Sequence, residues 1–262
     1  MLTLRFIKLS IKAALEYRTD FIFMIAVGII WQVTVVAFAT VVITRFPGLG
    51  GWSAGDVLLV ASVRLAGHTF ASGFFIGLRQ VSELTADGKI DAFLLRPLPV
   101  YRQVMLNYFH MPEFGGLAVV AVMFAAAVRM VDIDWTPWRI GYLVASVVGA
   151  TLLEVALQTV LGAFALRRPT VKLWQEWTEE LMAAFGNYPL HILPNLAWAV
   201  FVFVLPIAFC AYFPVAVLTG QTSSLPVPAG VAVASPLISA TLFLAALGWW
   251  RIELRRYESV GG

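Results

Sequence analysis

Five ionisable side chains stand inside stretches of sequence apolar enough to cross a bilayer: Arg64, His68, His110, Glu113 and Glu154. Such groups are rare at that depth, face the protein interior, and mark either a transport path or a structural ion pair. Arg64 and His68 share a helix face at i, i+4, and His110 and Glu113 share one at i, i+3. Glu154 stands alone near the centre of its stretch and needs a partner, for which Arg64 is the candidate. The plain expectation is a structural pair; the sharper one is a proton or substrate relay. Phe70, Phe74 and Phe75 follow Arg64 on the same stretch. They suit a path for a hydrophobic or amphipathic molecule, although single aromatics are more often core.

Missing motifs narrow the chemistry. There is no GxxxxGK[ST], and Asp87-Gly88-Lys89-Ile90 lacks the upstream glycine and the Ser/Thr, so the chain does not bind ATP through a P-loop. There is no HExxH, and three scattered histidines make no metal site. No GxSxG nucleophile elbow occurs. An intramembrane enzyme is disfavoured, because no nucleophile–base constellation is present. The lone Cys210 excludes an internal disulfide. The chain is expected to catalyse nothing and to bind no cofactor itself.

The elements that carry these residues are membrane helices. The chain is 60% apolar and 13% charged, with a mean hydropathy of +0.85, where a soluble domain carries about 25% charged residues. The expected fold is an all-α polytopic membrane protein in a single domain. Its spans are expected near 21–44, 57–78, 104–131, 140–166, 172–188 and 230–250. Residues 1–20 alternate Arg5, Lys8 and Lys12 with apolar residues. They read as an interfacial amphipathic helix rather than a cleavable signal. Fourteen of the eighteen Lys and Arg residues fall in this tail, in 79–103, in 167–172 and at the C-terminus. The positive-inside rule then places both termini in the cytoplasm. The charge of +3 follows the loops and does not suggest nucleic acid.

Seventy residues between Glu180 and Arg251 contain no Asp, Glu, Lys or Arg, and seven prolines punctuate them. Proline breaks a span, and broken backbone at membrane depth is tolerated where it is buried in protein or lines a cavity. Residues 188–229 are therefore expected to form an outer re-entrant segment between spans 5 and 6. Its hairpin, 199–220, would break at Pro206 and Pro214 and place Cys210 at an aqueous gate. Trp52, Trp135, Trp138, Trp198, Trp249 and Trp250 are expected as interface anchors, and Gly73-x-x-x-Gly77 as a close packing site. Glu176, Glu179 and Glu180 are expected to open the fifth span, where acids suit a helix start, or to line a polar vestibule.

The segment 79–103 is a candidate docking element. Arg79–Asp87 can continue the second helix, and Gly88 suits a helix stop. Ile90, Phe93, Leu94 and Leu95 make an apolar cluster, ended stiffly by Pro97 and Pro99. Apolar residues among charged ones on such a loop call for a protein partner.

Three stretches resemble one family. Gly88-Lys-Ile-Asp-Ala-Phe-Leu94-Leu95-Arg96-Pro97-Leu98 is similar to the cytoplasmic signature of one branch of bacterial type-2 ATP-binding-cassette (ABC-2) exporter permeases. Tyr188-Pro189-Leu190, Leu205-Pro206-x-x-Phe209, Tyr212-x-Pro214 and Leu218-x-Gly220 resemble its outer segment. Leu254-Arg255-Arg256-Tyr257-x-Ser259-x-Gly261 resembles its ending. The resemblance implies a six-span subunit of the bacterial plasma membrane. It would pair with a second permease, identical or homologous, and with two ATPase subunits that hold ATP and Mg. It also implies coupling residues at Glu83, Asp87, Gly88, Ile90, Asp91, Leu94, Leu95, Arg96 and Pro97. An outer gate is implied at Tyr188, Pro189, Pro194, Pro206, Phe209, Tyr212 and Pro214. The implied activity is ATP-driven export of a hydrophobic or amphipathic small molecule by alternating access. The competing reading is an ATP-independent secondary transporter or channel that uses Arg64, Glu154, His110 and Glu113.

Overall fold

The computed structural model describes Glu16 and residues 18–45, 51–190 and 193–259, and no strand occurs among them. The amphipathic helix expected over 1–20 lies outside the described residues, except that Arg18–Asp20 open α1. Helix α1, Arg18–Arg45, has 28 residues and covers the first expected span.

Helix α2, Ala54–Phe75, starts at a capping box. The Asp56 backbone N–H donates to Ser53 Oγ at 3.2 Å, and the Ser53 N–H donates to Asp56 Oδ2 at 2.8 Å, satisfying two donors of the opening turn. A 3-10 turn, Ile76–Gln80, carries α2 into α3, Val81–Ala86. Together they make a 33-residue rod that is mostly buried. Gly88 ends it with φ +67, a conformation glycine adopts without strain. Helix α4, Lys89–Leu94, turns back, and α5, Val100–Asn107, returns toward the bundle after Pro97 and Pro99.

The third expected span is not one helix. It breaks after Asn107, resumes as a 3-10 turn over Met111–Gly116, and continues as α6, Leu117–Met130. Pro112 supplies no N–H there, and the His110 N–H donates across to Gly73 O at 3.1 Å. The apolar run is thus the 20 residues Met111–Met130, and His110 and Glu113 stand at its start. Gly73 meets the Phe114 ring and Gly77 the Val104 carbonyl, so the small-residue pair packs against this broken segment.

Helix α7, Pro137–Ala165, has proline in its first turn. It packs between α2 and the last long helix. The fifth expected span is shorter than its sequence suggests. Helix α8, Lys172–Phe185, has 14 residues, about 21 Å against a hydrocarbon core of about 30 Å. Its first turn holds no acid, so Glu176, Glu179 and Glu180 do not cap it. Next comes a bent pair. Helix α9, Asn195–Ala199, runs into a π turn over Val200–Val204; a 3-10 turn over Ile207–Phe209 leads to α10, Tyr212–Leu218. The two arms meet at 72°. Pro206 sits in this bend as expected. Pro214 does not break the chain: it lies in the first turn of α10, where a missing N–H costs little. Short α11, Ala229–Val233, precedes α12, Ser235–Arg255.

Four described helices are long and apolar enough to cross a membrane, or five if the bent pair is one span. Two of the expected interface anchors are core residues instead: Trp52 is 3% and Trp250 2% exposed. Their indoles fill gaps between helices, whereas Trp138 and Trp249 do reach the surface. One apolar cluster surrounds α10 and the turn before it, and a second lies under α4.

Candidate functional site

Two places combine chemistry with position. The first is the end of the bundle that carries Arg79, Lys89, Arg96, Arg167 and Arg168. Here α4 divides its apolar residues. Ile90 and Phe93 point inward, at 0% and 6% exposure, against Leu78, Val81, Leu84 and Trp250. Leu94 and Leu95 point outward, at 48% and 89%. Ile90 is therefore an internal anchor, and the surface on offer is Leu94, Leu95, Arg96 and Pro97. Buried Gln103 fixes this tip: its Nε2 donates to Phe93 O at 2.8 Å and to Leu98 O at 2.6 Å. The Arg96 guanidinium lies 5.4 Å from the Phe93 ring centroid. Asp87 accepts from Lys89 Nζ at 2.8 Å, which holds the ammonium above its ordinary pKa.

The rod behind the tip is clamped to α8. Lys172 Nζ donates to Glu83 Oε1 at 2.5 Å, and Arg79 pairs with Glu179. Ser82 Oγ donates to Gln175 Oε1 at 3.0 Å, and Gln175 Nε2 donates to Leu78 O at 3.1 Å. Arg79, Glu83, Lys172, Gln175, Glu176 and Glu179 line a polar cleft. Of the three acids expected at a vestibule, Glu176 and Glu179 line this cleft. Sequence reasoning missed Gln103 and Gln175. Both are ordinary polar residues in the sequence, and their partners are known only once the segments are folded together.

The second place is a buried patch midway along α2. His68 Nδ1 lies 2.6 Å from Glu154 Oε1, so the partner of Glu154 is His68 rather than Arg64. Arg64 is one turn earlier on the same face and is 2% exposed. Its Nε and Nη2, and Glu154 Oε2, have no hydrogen-bond partner among the described residues. Gly186 leaves room for the guanidinium arm: a Cβ there would stand 3.3 Å from Arg64 Cγ. Cys210 is within electrostatic reach of both Arg64 and Glu154. The patch thus joins α2, α7, the end of α8 and the turn before α10. Ser72 Oγ lies 3.4 Å from His68 Nε2, and Ser72, Phe75, Arg79, Glu154 and Gln158 line a small cleft below. His110 and Glu113 form their own pair at 3.5 Å, with His68 within electrostatic reach of Glu113.

Other expected residues fall as follows. Phe70 and Phe74 pack edge-on against Phe114 at 6.2 and 5.1 Å, and Phe74 also meets Phe109 at 5.6 Å. Among the outer-segment residues, Pro189, Phe209, Tyr212 and Pro214 are buried, Tyr188 and Pro206 are half-buried, and Pro194 is exposed. Gln221 Nε2 donates to Asp56 Oδ2 at 2.8 Å, and the Tyr212 and Trp52 rings lie 5.2 Å apart. Residues at the start of α10 and just past its end therefore stand beside the start of α2.

Cys210 is 0% exposed, against the expectation of a thiol at an aqueous gate. A buried thiol is inert. Membrane-impermeant maleimide is expected to leave Cys210 unlabelled from either side of sealed vesicles, and to label it only after denaturation. Rapid labelling of the folded protein would show that this turn opens to water.

A bundle of long apolar helices with a stiff apolar tip at one end describes a multi-pass membrane protein. The chain belongs to the ABC-2 family transporter proteins: the family model matches residues 29–261, which include the tip, the bent pair and the end of α12. Neither the curated proteins nor the solved structures give a significant match.

Proposed function

We propose that this chain is the membrane-spanning permease of an ATP-driven exporter, moving a hydrophobic or amphipathic small molecule out of a bacterial cell across its plasma membrane. It works with two separate P-loop ATPase subunits, which hold ATP and Mg, and with a second permease, identical or homologous. Both termini are read as cytoplasmic, which the distribution of Lys and Arg supports. The chain itself is not catalytic.

The observation that carries this reading is the tip. Leu94 and Leu95 stand exposed at the end of a short helix whose inner face is buried and whose C-terminal end is tied by Gln103. An apolar surface on a rigid mount is what docking against a soluble subunit needs. Closure of the ATPases on ATP would push α4. The push passes through α3 into α2, and through the Lys172–Glu83 and Arg79–Glu179 pairs into α8. Helix α8 leads at Gly186 to the Arg64 patch and the turn at Cys210. The bent pair is read as a hairpin dipping in from the outer face and acting as the outer gate, with alternating access as the cycle.

Purifying the tagged chain from its native membrane is expected to bring down a P-loop ATPase. Transport by this chain alone, or transport that persists with ATP hydrolysis blocked and collapses with the ion gradient, would replace this reading with a secondary transporter. Family membership favours the ATP-coupled reading.

A further inference from the structure

The cytoplasmic signature and the C-terminal ending lie far apart in the sequence, yet the fold brings them into contact. Ser259 Oγ donates to Asp91 Oδ2 at 2.7 Å across a separation of 168 residues. The path there is defined. After α12 the chain turns: the Arg256 N–H donates to Glu253 O at 3.0 Å and the Tyr257 N–H to Leu254 O at 3.3 Å. Glu253, 4% exposed, faces Arg167 at 3.7 Å and fixes where the turn begins. Tyr257 then packs on the apolar cluster that also holds Ile90 and Phe93. Burial first, and the Asp91 carboxylate second, push the Tyr257 hydroxyl up to about 12. It therefore stays neutral and adds no charge beside Asp91 at any physiological pH.

Helix α4 needs such help. It has six residues, and a helix that short has little stability of its own. Its inner face is held by the cluster and its end by Gln103. The side that carries Asp91 is held by the tail.

We propose that Tyr257 and Ser259 are positioning residues: the C-terminal tail straps α4 through Asp91 and sets the angle at which Leu94 and Leu95 meet the ATPase. This rests on the tip being the ATPase-docking surface. An intact strap presents the two leucines in one orientation, and a loosened strap makes binding restrict a freer helix.

The test uses the full-length chain in lipid nanodiscs and the ATPase that co-purifies with it, with Kd and melting temperature measured together. Ser259→Ala and Tyr257→Ala are each expected to weaken ATPase binding about fivefold, as the loss of one hydrogen bond or one anchor would. Melting of the permease should stay unchanged in Ser259→Ala, because Ser259 is exposed and the spans are untouched. Ser259→Thr, which keeps the hydroxyl, should restore binding. Adding Ser259→Ala to Asp91→Asn should weaken binding no further than Asp91→Asn alone, since both act through one contact. If Leu95→Asp abolishes binding while the tail variants bind as the parent does, the strap is wrong and the docking surface stands. A lowered melting temperature at unchanged Kd makes the tail a purely structural prop and also overturns the proposal. Normal binding by Leu95→Asp removes the docking surface, and the strap falls with it. Should Tyr257→Ala fold poorly, Ser259→Ala changes an exposed residue and decides the matter alone.

Discussion

Leu95→Asp is expected to abolish ATPase binding while leaving the permease folded. Leu95 is 89% exposed in the free chain, so an aspartate there meets water and costs the fold almost nothing. In the docked state the same carboxylate would enter an apolar contact without a partner. An uncompensated buried charge costs about 3–5 kcal/mol, which is roughly two to four orders of magnitude in Kd. The check is binding of the co-purified ATPase, together with the melting temperature of the permease. Transport should fall in parallel, because an undocked tip receives no push. Ile90→Asp provides the contrast. Ile90 is 0% exposed, so its replacement should disorder α4 and lower stability as well as binding. Leu95→Asp that binds and transports like the parent would show that the tip docks nothing.

Glu154→Leu is expected to have the largest effect on stability. The carboxylate faces His68 at 2.6 Å and lies within reach of Arg64, which is 2% exposed. Removing the acid leaves buried nitrogen groups without their counter-charge. Breaking a buried pair in this way costs about 3–5 kcal/mol, which lowers the melting temperature by roughly 10 °C for a chain of this size. His68→Leu combined with Glu154→Leu should recover part of the loss, since the pair is then absent rather than broken. Glu154→Gln separates structure from relay. It keeps the shape and a hydrogen-bonding group while giving up the charge. A structural pair predicts that Glu154→Gln, once folded, exports at close to the parental rate. Loss of transport in a stable Glu154→Gln protein would make Glu154 part of the transport path.

The contrast between these two substitutions reflects what each residue type reveals in a sequence. Some helix breaks were legible. Gly88 spells a stop and Pro206 a bend, because each signal acts on its own turn of backbone. The existence of the tip was legible for the same reason: Ile90, Phe93, Leu94 and Leu95 crowd between charges and prolines. Which of them turn inward was not. Two adjacent leucines and two neighbouring apolar residues look alike until α4 is set against Trp250, Leu78 and Val104, which come from other parts of the chain.

The length of α8 was misjudged. The segment from Lys172 to Tyr188 was expected as a span, but the chain leaves the helix after Phe185, and Gly186 turns beside Arg64. The Glu154 partner was misjudged through depth. Arg64 and His68 share one face, and choosing between them needs the relative height of α2 and α7.

The sequence by itself determined that this is an all-α membrane protein, that the chain stops a helix at Gly88 and bends at Pro206, and which family its motifs belong to. Those properties rest on composition and on neighbours within a few residues. Only the tertiary structure decided that His68 holds Glu154, that Gln103 and Gln175 brace the tip and the rod, that Cys210 is sealed, and that Ser259 reaches Asp91. Each of those contacts depends on the rotation and height of one segment against another. These are set by packing across the whole bundle, and local sequence does not encode them.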